Sequence, residues 1–201
     1  MDKLEFAVTW DYRCPFARNA HEHILDALED GAQWKVKFVP FSLNQPHVAE
    51  GAPSVFESPE KAPDLLAMEA AIVVRDRFPA AFFRLHRGLF TARHDEGITL
   101  KERADVTQVL KAADVDPEAV WTEVDSGWPR RAFADAHMGS VESHKVFGVP
   151  TFIVGDQAVF VRLMTRPQGD GGLARQTIER VVDLTTGHPE INELKHTTVS
   201  R

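Results

Sequence analysis

Strand and helix patterns follow one another in this chain in an order that narrows the fold sharply: β-α-β, then a long helical stretch, then β-β-α. Leu4, Phe6, Val8 and Trp10 alternate with Glu5, Ala7 and Thr9, the period of two of a strand. From Pro15 the period lengthens: Ala17, Ala20, His21, Ile24, Leu25 and Leu28 form one stripe of an amphipathic helix, started by Pro15 and stopped by Gly31. Trp34 to Phe41 again has strand character, and the polar, Pro-rich run from Leu43 to Pro63 reads as loop. Helical spacing then takes over, with Leu65, Leu66, Ala70, Ile72 and Val73 in one helix and Phe82, Phe83, Leu85, Leu89 and Phe90 in another begun at Pro79. Val106, Val109 and Leu110 mark a third helix, Asp116-Pro117-Glu118 opens a fourth, and a fifth runs from about Pro129 to Phe147. Thr151–Val154, the turn Gly155-Asp156 and Ala158–Val161 make a hairpin. Gly169–Gly172 then precedes a last helix carrying Leu173, Ile178, Val181, Val182 and Leu184. A helical block inserted into one continuous α/β core satisfies this order. It gives a discontinuous core of residues 1–45 and 148–187, a helical insertion of residues 60–147 and a tail of residues 188–201.

At 201 residues the chain can bury a core without disulfides or structural metal. A formal charge of −7 argues against nucleic acid or an anionic membrane as partner. No run approaches the roughly 18 apolar residues of a membrane span. The N-terminus, Met1-Asp2-Lys3-Leu4, enters a strand pattern at once, with no basic region followed by an apolar run. A single cysteine excludes an internal disulfide and fits a reducing compartment, so a cytoplasmic location is expected.

That cysteine, Cys14, lies in Thr9-Trp10-Asp11-Tyr12-Arg13-Cys14-Pro15-Phe16-Ala17, a strand end, a short loop and a helix start. Unpaired N–H groups of a first helical turn and the positive end of its dipole favour thiolate over thiol, which makes the sulfur a nucleophile near neutral pH. Arg13 and Arg18 are expected to add positive potential. His21 lies some 10 Å along the helix from Cys14, too far for direct proton transfer, and reads as a core-edge residue. Asp11 either tunes the thiol or accepts a loop hydrogen bond, and Tyr12 is either a pocket wall or a loop anchor. His86, His94, His137 and His144 lack partner spacing, so no metal site is expected.

Three pieces converge on one family: the strand-loop-helix start with Cys14, the run Gly148-Val149-Pro150-Thr151 before the third strand, and the hairpin with its closing helix. Together they resemble the thioredoxin fold of the DsbA family. The fold class implied is α/β, a thioredoxin-like fold with an inserted all-helical domain. The resemblance further implies a cis bond before Pro150, close to the active-site sulfur, and a Val149 backbone to which an extended thiol peptide can add as a strand. The chain is also similar to the actinobacterial branch that includes the mycothiol-dependent nitroreductases. That similarity rests on Cys14-Pro15-Phe16-Ala17, on Arg166-Pro167 with the acidic Gly-containing turn after it, and on Pro189-Glu190-Ile191-Asn192-Glu193-Leu194-Lys195. Ala17 stands where a dithiol site carries its resolving cysteine, and Arg13 and Phe16 stand where tryptophan or other residues are frequent. A dithiol mechanism therefore does not transfer.

The resemblance implies a monothiol thiol-disulfide oxidoreductase with Cys14 as its redox-active catalytic residue. Asp11, Arg13, Pro15, Phe16 and Ala17 complete the active-site motif, and Val149 and Pro150 form the thiol or peptide site. Arg166, Asp170 and Gly171 are expected to hold the thiol co-substrate. That co-substrate is mycothiol or glutathione, with no tightly bound cofactor and no metal. The partners are this low-molecular-weight thiol and a small electrophile or mixed disulfide, and homodimers occur in related folds. Two other readings remain open. Kappa-class glutathione transferases and 2-hydroxychromene-2-carboxylate isomerases resemble the same split core and use one polar residue at position 14 to activate a bound thiol. A non-catalytic descendant that binds a thiol or peptide is the other.

Overall fold

Alternating Phe6, Val8 and Trp10 set the strand β1, Glu5–Trp10, whose apolar face is wholly buried. The computed structural model describes residues 4–198, so Met1–Lys3 of the N-terminal reading and positions 199–201 of the tail lie outside the described residues. These divide into two compact units, one of residues 4–10, 14–39 and 140–198, the other of residues 11–13 and 40–139.

In the first unit, α1 spans Pro15–Glu29, β2 Lys35–Pro40, β3 Thr151–Val154, β4 Gln157–Phe160 and α7 Gly171–Gly187. The sheet order is β2-β1-β3-β4. β3 runs antiparallel to β1, with Val8 opposite Phe152, and antiparallel to β4, with Thr151 opposite Phe160. Ring contacts of Phe6 with Phe152 (5.9 Å) and Trp34 (6.0 Å) fill the space under the sheet. α1 packs on α7 and on β1. It ends as its sequence demands: Gly31 adopts φ 94°, and the N–H of Ala32 reaches back to the Ala27 carbonyl at 2.9 Å.

One expectation is corrected here. The sequence shows a single apolar stripe on α1, yet nearly its whole circumference from Ala17 to Ala27 is buried, including Arg18, Glu22, His23 and Asp26. The polar face is covered by the segment after β4, which runs along it and supplies partners. Asn19 Nδ2 donates to the Leu163 carbonyl at 2.8 Å, a ring nitrogen of His23 meets the Thr165 carbonyl at 3.2 Å, and Asp26 accepts the N–H of Gly169 at 2.9 Å.

The second unit holds α2 (Ala62–Arg77), α3 (Pro79–His94), α4 (Arg103–Ala112), α5 (Pro117–Asp125) and the greater part of α6 (Trp128–His144). α2 is the hub, packing on α3, α4 and α5. Asp116 caps α5 by accepting the N–H of Glu118 at 3.0 Å, with Pro117 at the first position. The run 43–63 is irregular as expected, with short 3₁₀ turns at Gln45–His47 and Pro59–Lys61. It also buries Val55 and Phe56, the latter edge-on to Phe133 at 5.0 Å. No helix among the described residues is long and apolar enough to cross a membrane.

Candidate active site

Cys14 is the N-cap of α1, in extended backbone conformation, with Pro15 at the first helical position. From there its sulfur meets two backbone groups. The N–H of Ala17 donates to Sγ at 3.4 Å, and Sγ lies 3.3 Å from the carbonyl oxygen of Val149. The Val149–Pro150 peptide bond is cis. The first contact favours the thiolate, and the second accepts the proton of the thiol. Cys14 is buried, with 8% of the residue exposed.

The 148–151 corner is pinned from both sides. The Thr9 hydroxyl donates to the Gly148 carbonyl at 3.3 Å and accepts the N–H of Thr151 at 2.9 Å, while Thr151 Oγ1 donates to the same carbonyl at 2.8 Å. On the other side the N–H of Val161 donates to the Pro150 carbonyl at 3.1 Å. Backbone held by this many bonds keeps the Val149 oxygen fixed relative to the helix start. The corner thus combines a cap sulfur, a helical N–H and an apposed carbonyl, an arrangement able to hold and release a thiolate.

The motif residues before Cys14 have partners of their own in the second unit. Asp11 is buried and accepts from the N–H groups of Arg13 (3.0 Å) and Leu43 (2.9 Å) and from the Arg13 guanidinium. Burial opposes the charge of Arg13, but the hydrogen bond and charge of Asp11, helped by Asp64, hold its pKa above the ordinary guanidinium value. Asp11 is therefore a loop hydrogen-bond acceptor. Tyr12 is a loop anchor. Its hydroxyl bonds His86 Nδ1 at 2.7 Å, its ring stands edge-on to Phe90 at 4.8 Å, and its carbonyl meets His94 Nε2 at 2.8 Å.

One sequence expectation needs correction. Arg13 and Arg18 do not supply free positive potential, because each faces a carboxylate: Arg13 pairs with Asp11, and Arg18 with Glu22 at 2.9 Å. Arg166, Asp170 and Gly171, the residues expected to hold the thiol co-substrate, lie along the far half of α1 and at the start of α7, where each has a neighbour within the chain. Arg166 pairs with Glu22, eight residues and about 12 Å along the helix from Cys14. Asp170 spends its carboxylate capping α7, accepting the N–H of Leu173 at 2.9 Å. A Cβ on Gly171 would collide with Cβ of Asp30, so this glycine serves the close approach of α7 to the end of α1. His21 is fully buried, bonded to the Thr9 carbonyl at 3.2 Å, and burial pushes its pKa down to about 4. Among the described residues, no three His, Cys, Asp or Glu side chains group in a way that could hold a metal ion.

Sequence reasoning missed Phe147, Phe160 and Arg162. The Arg162 guanidinium lies over the rings of Phe16 (5.5 Å) and Phe160 (6.0 Å), and Phe160 meets Phe147 at 5.3 Å. The strand period continued past β4 would have found the pair, because residues 160 and 162 fall on one face.

A family model described as the DSBA-like thioredoxin domain matches residues 7–165. No curated protein matches the sequence. Among solved structures, a 2-hydroxychromene-2-carboxylate isomerase is 15% identical with a TM-score of 0.63, covering 92% of this chain and 98% of that one. MdbA, a thiol-disulfide oxidoreductase from Actinomyces oris, is 15% identical with a TM-score of 0.61 over 87% and 80% of the two chains. The cytosolic disulfide reductase DsbM from Pseudomonas aeruginosa, solved with GSH, is 16% identical with a TM-score of 0.59 over 90% and 100%. At such identities the likeness is one of fold. The α/β architecture, a four-stranded sheet with helices inserted between β2 and β3, is thioredoxin-like, and the chain belongs to the DSBA-like thioredoxin domain family.

Proposed function

We propose that the protein is an enzyme, a monothiol thiol-disulfide oxidoreductase that acts through Cys14 with a low-molecular-weight thiol, mycothiol or glutathione, as co-substrate. The observation that carries this reading is the position of Sγ between the Ala17 N–H and the Val149 carbonyl. The Cys14 thiolate attacks one sulfur of a disulfide R–S–S–R. A Cys14–S–S–R bond forms, the S–S bond of the substrate breaks, and RS⁻ leaves with the electron pair. Ala17 provides no second thiol, so an external thiolate must attack the mixed disulfide, expelling Cys14 as thiolate and releasing a new disulfide. Family membership supports thiol chemistry in general, and the structural neighbour solved with GSH supports a small thiol as partner. In this reading Pro15 and Phe16 shape the helix start, Val149 and Pro150 face the incoming sulfur, no tightly bound cofactor takes part, and the enzyme works in the cytoplasm.

A second reading is favoured by the isomerase among the structural neighbours. There residue 14 activates a bound thiol without becoming oxidised, as in kappa-class transferases. One pair of variants separates the two. Intact-mass measurement after incubation with oxidised glutathione, and separately with mycothiol disulfide, is expected to give a one-thiol adduct on the wild type and none on Cys14→Ala. Cys14→Ser is expected to lose all exchange activity. A wild type that stays unmodified by both disulfides overturns the first reading, and a Cys14→Ser variant that keeps turnover on a thiol-activated substrate establishes the second.

A further inference from the structure

Beside the Cys14 corner the first unit exposes a surface that the exchange chemistry alone does not explain. Phe147 stands just before Gly148-Val149-Pro150 and is 69% exposed, the second most exposed large apolar side chain among the described residues. Its ring meets Phe160, which lies opposite Thr151 in the sheet and whose ring edge is 3.4 Å from where a Cβ on Gly148 would be. Arg162 completes the group, its guanidinium over both Phe160 and Phe16, the residue two positions after the cysteine. A guanidinium held against ring faces keeps its outward N–H donors pointed away from the rings.

The charge pattern makes this arginine distinctive. Two other arginines, Arg18 on α1 and Arg166 in the segment after β4, are spent on an acid, both pairing with Glu22. Arg162 has no carboxylate partner among the described residues, in a chain whose formal charge is −7. An uncompensated cation over the ring two positions after the cysteine favours an anion there, and the exposed Phe147 ring of the same group favours a flat apolar body. We propose that Arg162, with Phe16, Phe147 and Phe160, forms a recognition surface for a carboxylate-bearing aromatic disulfide, whose S–S bond breaks as Cys14 bonds to one of its sulfurs. This specificity rests on the exchange reading above. Arg162 acts as a positioning residue: it orients the anion so that the reacting sulfur reaches Cys14, and it takes no part in bond making.

The geometry predicts a particular dependence on substrate charge. Four symmetrical disulfides separate the contributions: dithiobis-nitrobenzoate (aromatic, dianionic), dithiodipyridine (aromatic, neutral), dithiodipropionate (aliphatic, dianionic) and bis-hydroxyethyl disulfide (aliphatic, neutral). The rate of modification of Cys14 is measured with each, for the wild type, Arg162→Gln, Arg162→Lys and Phe147→Ala. Leaving-group reactivity differs widely among these probes, but it cancels when each probe is compared between variants. The wild type is expected to exceed Arg162→Gln by about fivefold with the two dianions, the scale of one exposed charge pair, and to match it with the neutral pair. Arg162→Lys restores most of the difference, and rising salt erases it. Phe147→Ala slows the two aromatic probes and leaves the aliphatic ones unchanged. If Arg162→Gln slows all four probes alike, the arginine is only packing against its rings and the proposal is overturned. If the wild type reacts with none of the four, the exchange reading itself falls and takes this specificity with it. A full reaction of the neutral probes with no charge preference refutes the recognition surface alone.

Discussion

Ala17 decides whether a disulfide formed at Cys14 has anywhere to go within the chain. Its N–H already points at the sulfur, and its methyl is fully buried one helical turn on. Cα atoms three apart at a helix start lie about 5–6 Å apart, inside the span a disulfide bridges. Ala17→Cys is therefore expected to change the products of one reaction cycle. The wild type meeting a small disulfide releases one thiol and keeps the other as an adduct. The variant releases both and is left two hydrogens lighter, its new thiol joined to Cys14 in an internal disulfide. Intact mass with a count of released thiols reads the difference, and an adduct that persists on the variant would show that the second sulfur cannot reach the first. The same residue shows what a sequence displays at a site. The cap position of Cys14 is visible from spacing, and the missing partner at Ala17 from the family resemblance. That the thiol faces the Val149 carbonyl, 135 residues away, is encoded by no local pattern, and only the family resemblance brought Pro150 near the sulfur.

The segment after β4 works as a strap on α1. Its contacts fall at Asn19, Glu22 or His23, Asp26 and Asp30, once per turn down one helix face. The strap closes at Gly171, where α7 begins beside Asp30. Gly171→Ala would drive a Cβ into Cβ of Asp30 and to 2.6 Å from its Cγ, atoms too near the backbone to swing aside. The two helices must separate or the backbone at Asp30 must shift, so the variant is expected to lose about 1–3 kcal/mol in urea unfolding. A Gly172→Ala control meets nothing closer than 3.4 Å and is expected to keep wild-type stability. Equal losses in the two would rule out the close approach as the cause. Element ends such as Gly31, the Asp116-Pro117 start and the hairpin turn at Gly155-Asp156 were legible in the sequence because each is a local signal. The strap was not. Its bonds run largely through main-chain groups of residues 163, 165 and 169, which any side chain would offer, and it has no period. The ties of Arg166 to α1 and of Asp170 to α7 likewise carry no local signal.

Across the whole molecule, burial of histidine sets the response to acid. Burial pushes the pKa of His21 in the first unit and of His137 in the second down to about 4, and it lowers that of His23 as well. Their surroundings differ. His21 is bonded to the Thr9 carbonyl, with the rings of Trp10 and Phe38 at 6.2 and 5.6 Å. His137 accepts the Ser42 N–H at Nδ1 (3.2 Å), with Phe41 at 4.2 Å, so a proton on that nitrogen would set one N–H against another. In the unfolded chain both titrate near 6.5. Between that value and about 4 the unfolded state binds more protons than the folded one, so stability is complete above pH 6.5 and falls as pH drops through this window. Each ring contributes up to about 3 kcal/mol, lost at about 1.4 kcal/mol per pH unit. Asp64 belongs to a lower window. Burial resists its charge, but Lys101 and Arg13 hold its pKa below the ordinary 3.8, so its share is lost only in stronger acid. Urea unfolding at a series of pH values from 7 to 4.5 is expected to show this slope in the wild type. His21→Gln removes about one proton's worth of it while lowering stability at neutral pH. A slope unchanged in His21→Gln would mean that the ring already carries its proton in the folded protein, and burial as the origin of the acid sensitivity would have to be abandoned.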